Sequence, residues 1–433
     1  MILNTSISGG GAKLNGVKGN YLATADVAKG DFVQLTTWGV EEPKFSKSHD
    51  LADGVNAFNR AAVVVMSATQ ILCVWSANES MPNNVYAQAV TYKDAAWVAG
   101  TALLLGSYSN ASSYVNAVSA DRLTDTQAAV AIGTASKIMV INIAENGDVT
   151  VAAEKSMGLN AMSVSGKSNT LAVVAVTPER FAVFFSQTFS SGEYLKCNVC
   201  NYVNGDITVI TAAGSISSDS SYSLSPRYCK LNDSTVLAAT LSGSKATGSL
   251  IAVQIADSGW SKLVDISSVA QVKDCDMAYW ANNQVIMGVN QSSGGDYLSM
   301  VHFDADSMSI TIENLIGEEI DMNRVYGAER ISDNKACVWY TNSNGHNLDV
   351  LNVATKELTH ESFTDVVLNT TTPTLGKLSS AAFGWLALLE GATKLWIAPC
   401  ISKTTAAPYV TRLDGVASKG AIAGQMAEVV TPK

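Results

Sequence analysis

LTDTQAAVAI, Leu123 to Ile132, is a polar turn followed at once by an apolar run. The same phrase recurs along the chain. It is SATQILCVW from Ser67, TPERFAVFF from Thr177, LNDSTVLAAT from Leu231, WANNQVIMGV from Trp280, ISDNKACVWY from Ile331 and LSSAAFGWLA from Leu378. These seven starts are spaced by about 50 residues, and each leads into a loop, a third apolar strand, a turn and a fourth strand. A period of that size with four short strands per unit is the signature of a β-propeller. One four-stranded sheet cannot bury both of its faces, whereas radial packing buries each against a neighbour and leaves only short edges.

Turn chemistry agrees. Asn146-Gly147 in INIAENGDVTV and Asn204-Gly205 in CNYVNGDITVI each precede an Asp and a Thr/Val/Ile strand. Asn-Gly suits a type I′ turn, whose two central residues both need positive φ. VHFDADSMSITI (Val301–Ile312) and LNVATKELTHE (Leu351–Glu361) repeat the phrase with other turn residues. Helical periodicity is nearly absent. The reading is an all-β chain with an approximately seven-bladed propeller over residues 45–408. The last unit is short after Cys400, so a strand from the N-terminal side is expected to close the ring. Neither the WD dipeptide nor the paired glycines of kelch blades occur. ADSGWSKL (Ala256–Leu263) is a single, incomplete echo of an aspartate-box turn.

Residues 1–42 and 409–433 fall outside the blade pattern and carry a phrase of their own. In ATADVAKGDFVQL, Val27-Ala28 leads through Lys29 into Gly30, then Asp31 and the alternating strand Phe32-Val33-Gln34-Leu35. In GVASKGAIAGQMAEVV, Ile422-Ala423 leads into Gly424, then Gln425 and Met426-Ala427-Glu428-Val429. Chain termini often lie close together. The two similar strands are therefore expected side by side, in a small β module into which the propeller is inserted.

The C-terminal phrase resembles short β modules of phage and prophage virion proteins of Gram-positive bacteria, which read as G-[IL]-A, a spacer, A-G and an alternating V-x-V strand. Gly415-Val416-Ala417, Ala423-Gly424 and Ala427-Glu428-Val429 carry that resemblance. It implies a non-enzymatic virion structural protein, made in the host bacterial cytoplasm and present in many copies or as a homo-oligomer. Its partners would be other capsid or tail proteins. Gly30, Phe32, Val33, Gly415, Gly424, Met426 and Val429 would form the attachment module, and the propeller would be displayed outward. Capsid decoration and a tail or baseplate receptor-binding role both fit. A carbohydrate-binding or carbohydrate-active bacterial propeller is the alternative.

Composition narrows the remaining chemistry. The 433 residues are 15% charged, with a net charge of −10. An acidic balance lacks the basic footprint of nucleic-acid binding and disfavours an anionic membrane surface. The N-terminus has neither the basic nor the apolar region of a signal peptide, and no apolar run is long enough to span a bilayer. The seven cysteines are scattered and read as buried hydrophobes. Cys197 and Cys200 form the one C-x-x-C, but positions i and i+3 of a strand face opposite ways, so a shared metal is not expected. His49, His302, His346 and His360 lie in different repeats, and His346 reads as a turn residue. Asp304–Ser307 reads as an Asx turn rather than a calcium loop, and Gly317–Arg324 as a solvated acidic loop. No pair of carboxylates is singled out for glycosidase chemistry. No cofactor or metal is expected. Tyr108, Tyr114, Tyr222 and Tyr228 fall in Ser/Asn-rich segments and are candidate surface contacts, a host-surface glycan being the ligand such rings would suit.

Overall fold

In the computed structural model, the structure describes residues 16–23, 32–40, 49–50, 58–67, 69–77, 83–93, 96–108, 118–133, 136–157, 171–189, 192–211, 214–219, 226–240, 247–270, 272–291, 296–320, 322, 324–332, 335–342, 345–362, 374–375, 383–390, 394–408, 415–419 and 426–432. Side chains are described between residues 62 and 358. The chain forms two compact units, Glu42–Cys400 and a second made of Met1–Glu41 with Ile401–Lys433.

The larger unit is a β-propeller. Its first six blades are antiparallel sheets of four consecutive strands, two of them with a short added strand. Blade 1 comprises Phe58–Ser67, Gln70–Ala77, Asn83–Lys93 and Ala96–Ala99, with Leu103–Tyr108 added. Blade 2 runs from Val118 to Ser156 and blade 3 from Leu171 to Thr211, with Ser217–Asp219 added. Blades 4, 5 and 6 follow over Arg227–Ala270, Val272–Ile320 and Arg324–Ser362. A seventh sheet pairs Thr374–Leu375 with Phe383–Glu390 and then with the first half of Lys394–Pro408. His49–Asp50 adds to it opposite Leu395 and Lys394. The ring thus closes with an N-terminal strand, as the short last repeat predicts. The acidic segment Gly317–Arg324 is not the expected loop: Gly317–Ile320 ends the outer strand of blade 5.

The second strands of blades 2 to 5 are covered on both faces, so each is written as a largely apolar run rather than an alternating one. In Gln127–Ile132, Ala128, Val130 and Ile132 pack toward blade 1, while Ala129 and Ala131 pack toward blade 3. The next strand of that kind repeats the pattern, with Phe181, Val183 and Phe185 on the blade 2 side and Ala182 and Phe184 on the blade 4 side. All three phenylalanines are almost fully buried, each such burial stabilising by about 1.5–3 kcal/mol. Further apolar clusters join blade 4 to 5 and blade 5 to 6.

The recurring turn phrase is a two-residue hairpin. Ser67 faces Gln70, Thr124 faces Gln127, Thr177 faces Arg180, Asn232 faces Thr235, Ala281 faces Gln284 and Ser332 faces Lys335. The carbonyl of the second turn residue accepts an N–H from the third strand, as with Tyr92 to Thr69 at 2.7 Å, Ile143 to Thr126 at 2.9 Å and Ile255 to Ser234 at 2.7 Å. Just before each hairpin the inner strand carries one extra, unpaired residue. It is Met66, Leu123, Val176, Leu231, Trp280 or Ile331. Such a β-bulge bends a strand and raises its twist, which suits a sheet that must lean against its neighbour.

Asn204-Gly205 is the type I′ turn its sequence predicts, with φ of +53° and +83°. Asn146-Gly147 is not. There only Gly147 has positive φ, at +89°. Its N–H donates to the Ala144 carbonyl, and the Ala144 N–H donates to the Asp148 carbonyl, both at 2.9 Å. This is a three-residue loop, a type I turn followed by a left-handed glycine.

Candidate functional site

The smaller unit is built by backbone pairing of the terminal strands. Gly16–Ala23 pairs antiparallel with Met426–Pro432, from Gly16 opposite Pro432 to Leu22 opposite Met426. Met426–Pro432 pairs with Gly415–Lys419, Val429 lying opposite Ala417. Gly415–Lys419 pairs with Phe32–Val40, Phe32 opposite Val416 and Val33 opposite Gly415. Phe32–Val40 pairs with the second half of Lys394–Pro408, Val33 opposite Pro408 and Thr36 opposite Thr405. That last strand returns to the first, parallel, with Leu22 opposite Thr405 and Ala23 opposite Ala406. Five strands therefore close into a small barrel, which leaves no free sheet edge.

Of the candidate attachment residues, Phe32, Val33, Gly415, Met426 and Val429 stand on barrel strands. Gly30 and Gly424 lie outside the described residues. One expectation is corrected. The two similar strands are not neighbours, because Gly415–Lys419 lies between them. Gly-Val opens a strand in each half, at Gly16-Val17 and Gly415-Val416. The two N-terminal strands pair only with C-terminal ones, whereas Gly415–Lys419 and Met426–Pro432 also pair with each other. The unit also takes in Ile401–Pro408, where the blade pattern suggested a boundary after residue 408. The cause is the length of one strand, whose second half turns to the N-terminal partner at Ser402.

The tyrosines divide. Tyr114 and Tyr222 lie outside the described residues, and Tyr108 ends a strand added to blade 1. Tyr228 is not a loop residue. It sits on the inner strand of blade 4, stacked on Phe184 of blade 3 with ring centroids 4.4 Å apart and planes at 24°. An apolar neighbour across the blade interface draws the ring inward, so it is packing rather than display.

Among the described residues no group of three or more His, Cys, Asp or Glu could hold a metal ion. Cys197 and Cys200 face opposite ways as strand parity requires, Cys197 toward blade 4 and Cys200 toward blade 2. Burial raises both thiols, Cys200 to about 12, so neither is a thiolate at neutral pH. Asp304 forms the Asx turn. Its Oδ1 accepts the N–H groups of Asp306 at 2.9 Å and Ser307 at 3.2 Å, and its Oδ2 accepts the Ser307 hydroxyl at 2.7 Å. The Ser307 hydroxyl and the two turn N–H groups hold its carboxyl below the usual range. His346 is a strand residue opposite Thr341 rather than a turn residue. His302 lies 3.8 Å from Glu313, and the Lys356 ammonium, 2.9 Å away, keeps Glu313 acidic.

Inner-strand carboxylates serve to join blades. Asp121 accepts the Ala175 N–H and Asp276 the Ala328 N–H, each at 2.9 Å. A set of cations does the same and was not singled out in the sequence. Arg122 donates to the Met66 carbonyl at 3.0 Å, Lys230 to Val176 at 2.6 Å and Arg330 to Trp280 at 2.7 Å. Every acceptor is the bulge residue of the preceding blade, and every donor directly precedes the bulge residue of its own. The signal is a basic residue before an aliphatic one at the turn, in Arg122-Leu123, Lys230-Leu231 and Arg330-Ile331.

No protein-family model matches the chain, and no curated protein matches it. Solved structures do. The chain is similar to an oligogalacturonate lyase in complex with manganese, at 12% identity over 86% of this chain and 98% of that one, with a TM-score of 0.46. The oligogalacturonate lyase of Vibrio parahaemolyticus is 11% identical over 86% of this chain and 98% of its own, with a TM-score of 0.45. The Dos1 propeller is 7% identical over 82% of this chain and 95% of its own, with a TM-score of 0.44.

Proposed function

We propose that the chain is a non-enzymatic structural protein of a phage or phage-derived particle. The barrel attaches to the particle, and the propeller is the displayed body. One observation carries this reading. The two ends of the chain, separated by the whole propeller in sequence, build a compact closed barrel of their own. A propeller closed by His49–Asp50 uses only the first half of Lys394–Pro408, so the second half of that strand and the other four barrel strands can serve a second purpose. The motif that resembles virion modules lies in two of them, Gly415–Lys419 and Met426–Pro432. The partners in this reading are other capsid or tail proteins, with many copies per particle. A host-surface glycan is the ligand for the displayed loops if the particle position is the tail.

The test is immunogold electron microscopy of particles from an induced producer culture, with antibody raised against this chain. Label on heads assigns capsid decoration, and label at the tail tip assigns receptor binding. Intact, unlabelled particles from cells rich in the protein would refute the reading.

A further inference from the structure

Two hairpins of this propeller share the tripeptide Asn-Gly-Asp and differ in the commitment of its atoms. In the blade 2 turn every reactive group is occupied. The Asn146 Oδ1 accepts the Asp148 N–H at 3.1 Å, and its Nδ2 donates to the Asp148 carboxylate at 2.7 Å. The Gly147 N–H donates to the Ala144 carbonyl at 2.9 Å. Gly147 is itself buried, with the Thr91 hydroxyl and Gly100 against its outer side.

The blade 3 turn is the reverse. Val203, Asn204, Gly205 and Asp206 are all exposed. Nothing lies within 4 Å of the place a Gly205 Cβ would take. Among the described residues the Asn204 side chain makes no hydrogen bond. In a two-residue turn the bond across the hairpin uses the flanking residues, here Val203 and Asp206, and leaves the N–H of the second turn residue unused. Glycine adds no side chain to obstruct approach, and hairpin tips open at little cost.

We propose that Asn204-Gly205 is a self-modification site, at which the folded protein slowly converts Asn204 to aspartate and isoaspartate, while Asn146-Gly147 is protected. The Gly205 backbone nitrogen, losing its proton to solvent base, attacks the Asn204 side-chain carbonyl carbon. A C–N bond forms, the Cγ–Nδ2 bond breaks, and ammonia leaves with one proton from solvent. The product is a five-membered succinimide. One water molecule then opens either of its two carbonyls, giving aspartate or the β-linked isomer. No oxidation or reduction occurs. The outcome is a new negative charge two residues from Asp206 at the tip of blade 3. In the isomer, an extra methylene also enters a turn that has room for just two residues.

The test uses the full chain, incubated folded at 37 °C in mildly alkaline buffer, then digested and read by tandem mass spectrometry with electron-based fragmentation. Both sites are quantified in the same sample. Asn204 is expected to convert at least about tenfold faster than Asn146, the order set by several hydrogen bonds that must open first at Asn146. A parallel sample in denaturant should bring the two rates together, because the local sequence is the same. Folded Asn146 converting as fast as Asn204, or an unmodified Asn204 beside a readily modified denatured control, overturns the proposal.

Discussion

Replacing Gly100 by alanine should loosen the joint between blades 1 and 2. Gly100 follows the strand Ala96–Ala99, and its φ lies outside the left-handed region, so the backbone itself accepts alanine. Space does not. A Cβ there would stand 2.5 Å from the Gly147 carbonyl oxygen, 3.1 Å from its carbon and 3.3 Å from the Ala89 oxygen. All three are backbone atoms, which cannot rotate away. Relief requires separating the blade 2 turn from blade 1 or displacing Gly100 from two bonds, its N–H to Ala89 at 2.8 Å and its carbonyl from Gln88 Nε2 at 2.6 Å. Overpacking strain and weakened hydrogen bonds together cost about 2–4 kcal/mol. The restricted unfolded chain returns only about 0.4–1 kcal/mol. Urea unfolding of the full chain, followed by tryptophan fluorescence, should therefore show a lower midpoint for Gly100→Ala. Gly205→Ala is the control: nothing crowds it, but its φ of +83° disfavours a side chain, so its loss should be nearer about 1 kcal/mol. A Gly100→Ala midpoint equal to or above the unsubstituted protein would refute the close approach.

Three further outcomes are expected. Asp304→Asn should destabilise at neutral pH, and its deficit should shrink as pH falls. The carboxyl of Asp304 is more acidic folded than unfolded, so its stabilisation is complete above the unfolded pKa and is lost through the folded one; paired denaturation curves from pH 7 to about pH 2 read this. Cys73, Cys197, Cys200, Cys229 and Cys275 are all buried, so peptide mapping after alkylation should find them unmodified in the folded protein and modified in denaturant; rapid labelling of Cys197 when folded would contradict the packing. Removing Gly415–Lys433 should abolish the barrel and leave the propeller folded, measured by protease resistance of residues 42–400; a fully digested propeller would mean that these strands close the ring.

The propeller was legible because its physics is local and repeated. A two-residue turn, a polar residue directly after it and then an apolar run leave the same trace in each of the first six blades, and strand parity alone separated Cys197 from Cys200. What stayed hidden depends on partners distant in sequence. The bulge before each hairpin has no residue signature, since Met66, Val176 and Trp280 fill the same place. Tyr228 reads as a Ser-rich loop residue until Phe184, from another blade, comes to lie under it. The two Asn-Gly turns look alike, yet Gly147 is pressed against Gly100 and Gly205 meets nothing. In the terminal module the matching phrases were visible, but the order of the strands was not, because either order satisfies the same alternation.

The closed barrel also imposes a timetable. Gly16–Ala23 and Phe32–Val40 are synthesised first, but their hydrogen-bonding partners are Ser402–Pro408, Gly415–Lys419 and Met426–Pro432. At about 5–20 residues per second the ribosome needs roughly 20–80 s to make the intervening chain. For that interval two β-prone segments have no native mate, and the nascent blades grow beside them. Residues 394–395, which meet His49–Asp50, emerge before the last barrel strands. The residues that close the propeller ring are therefore made before the barrel strands are complete, and assembly that relies on the barrel has to wait until residues 426–432 have been made.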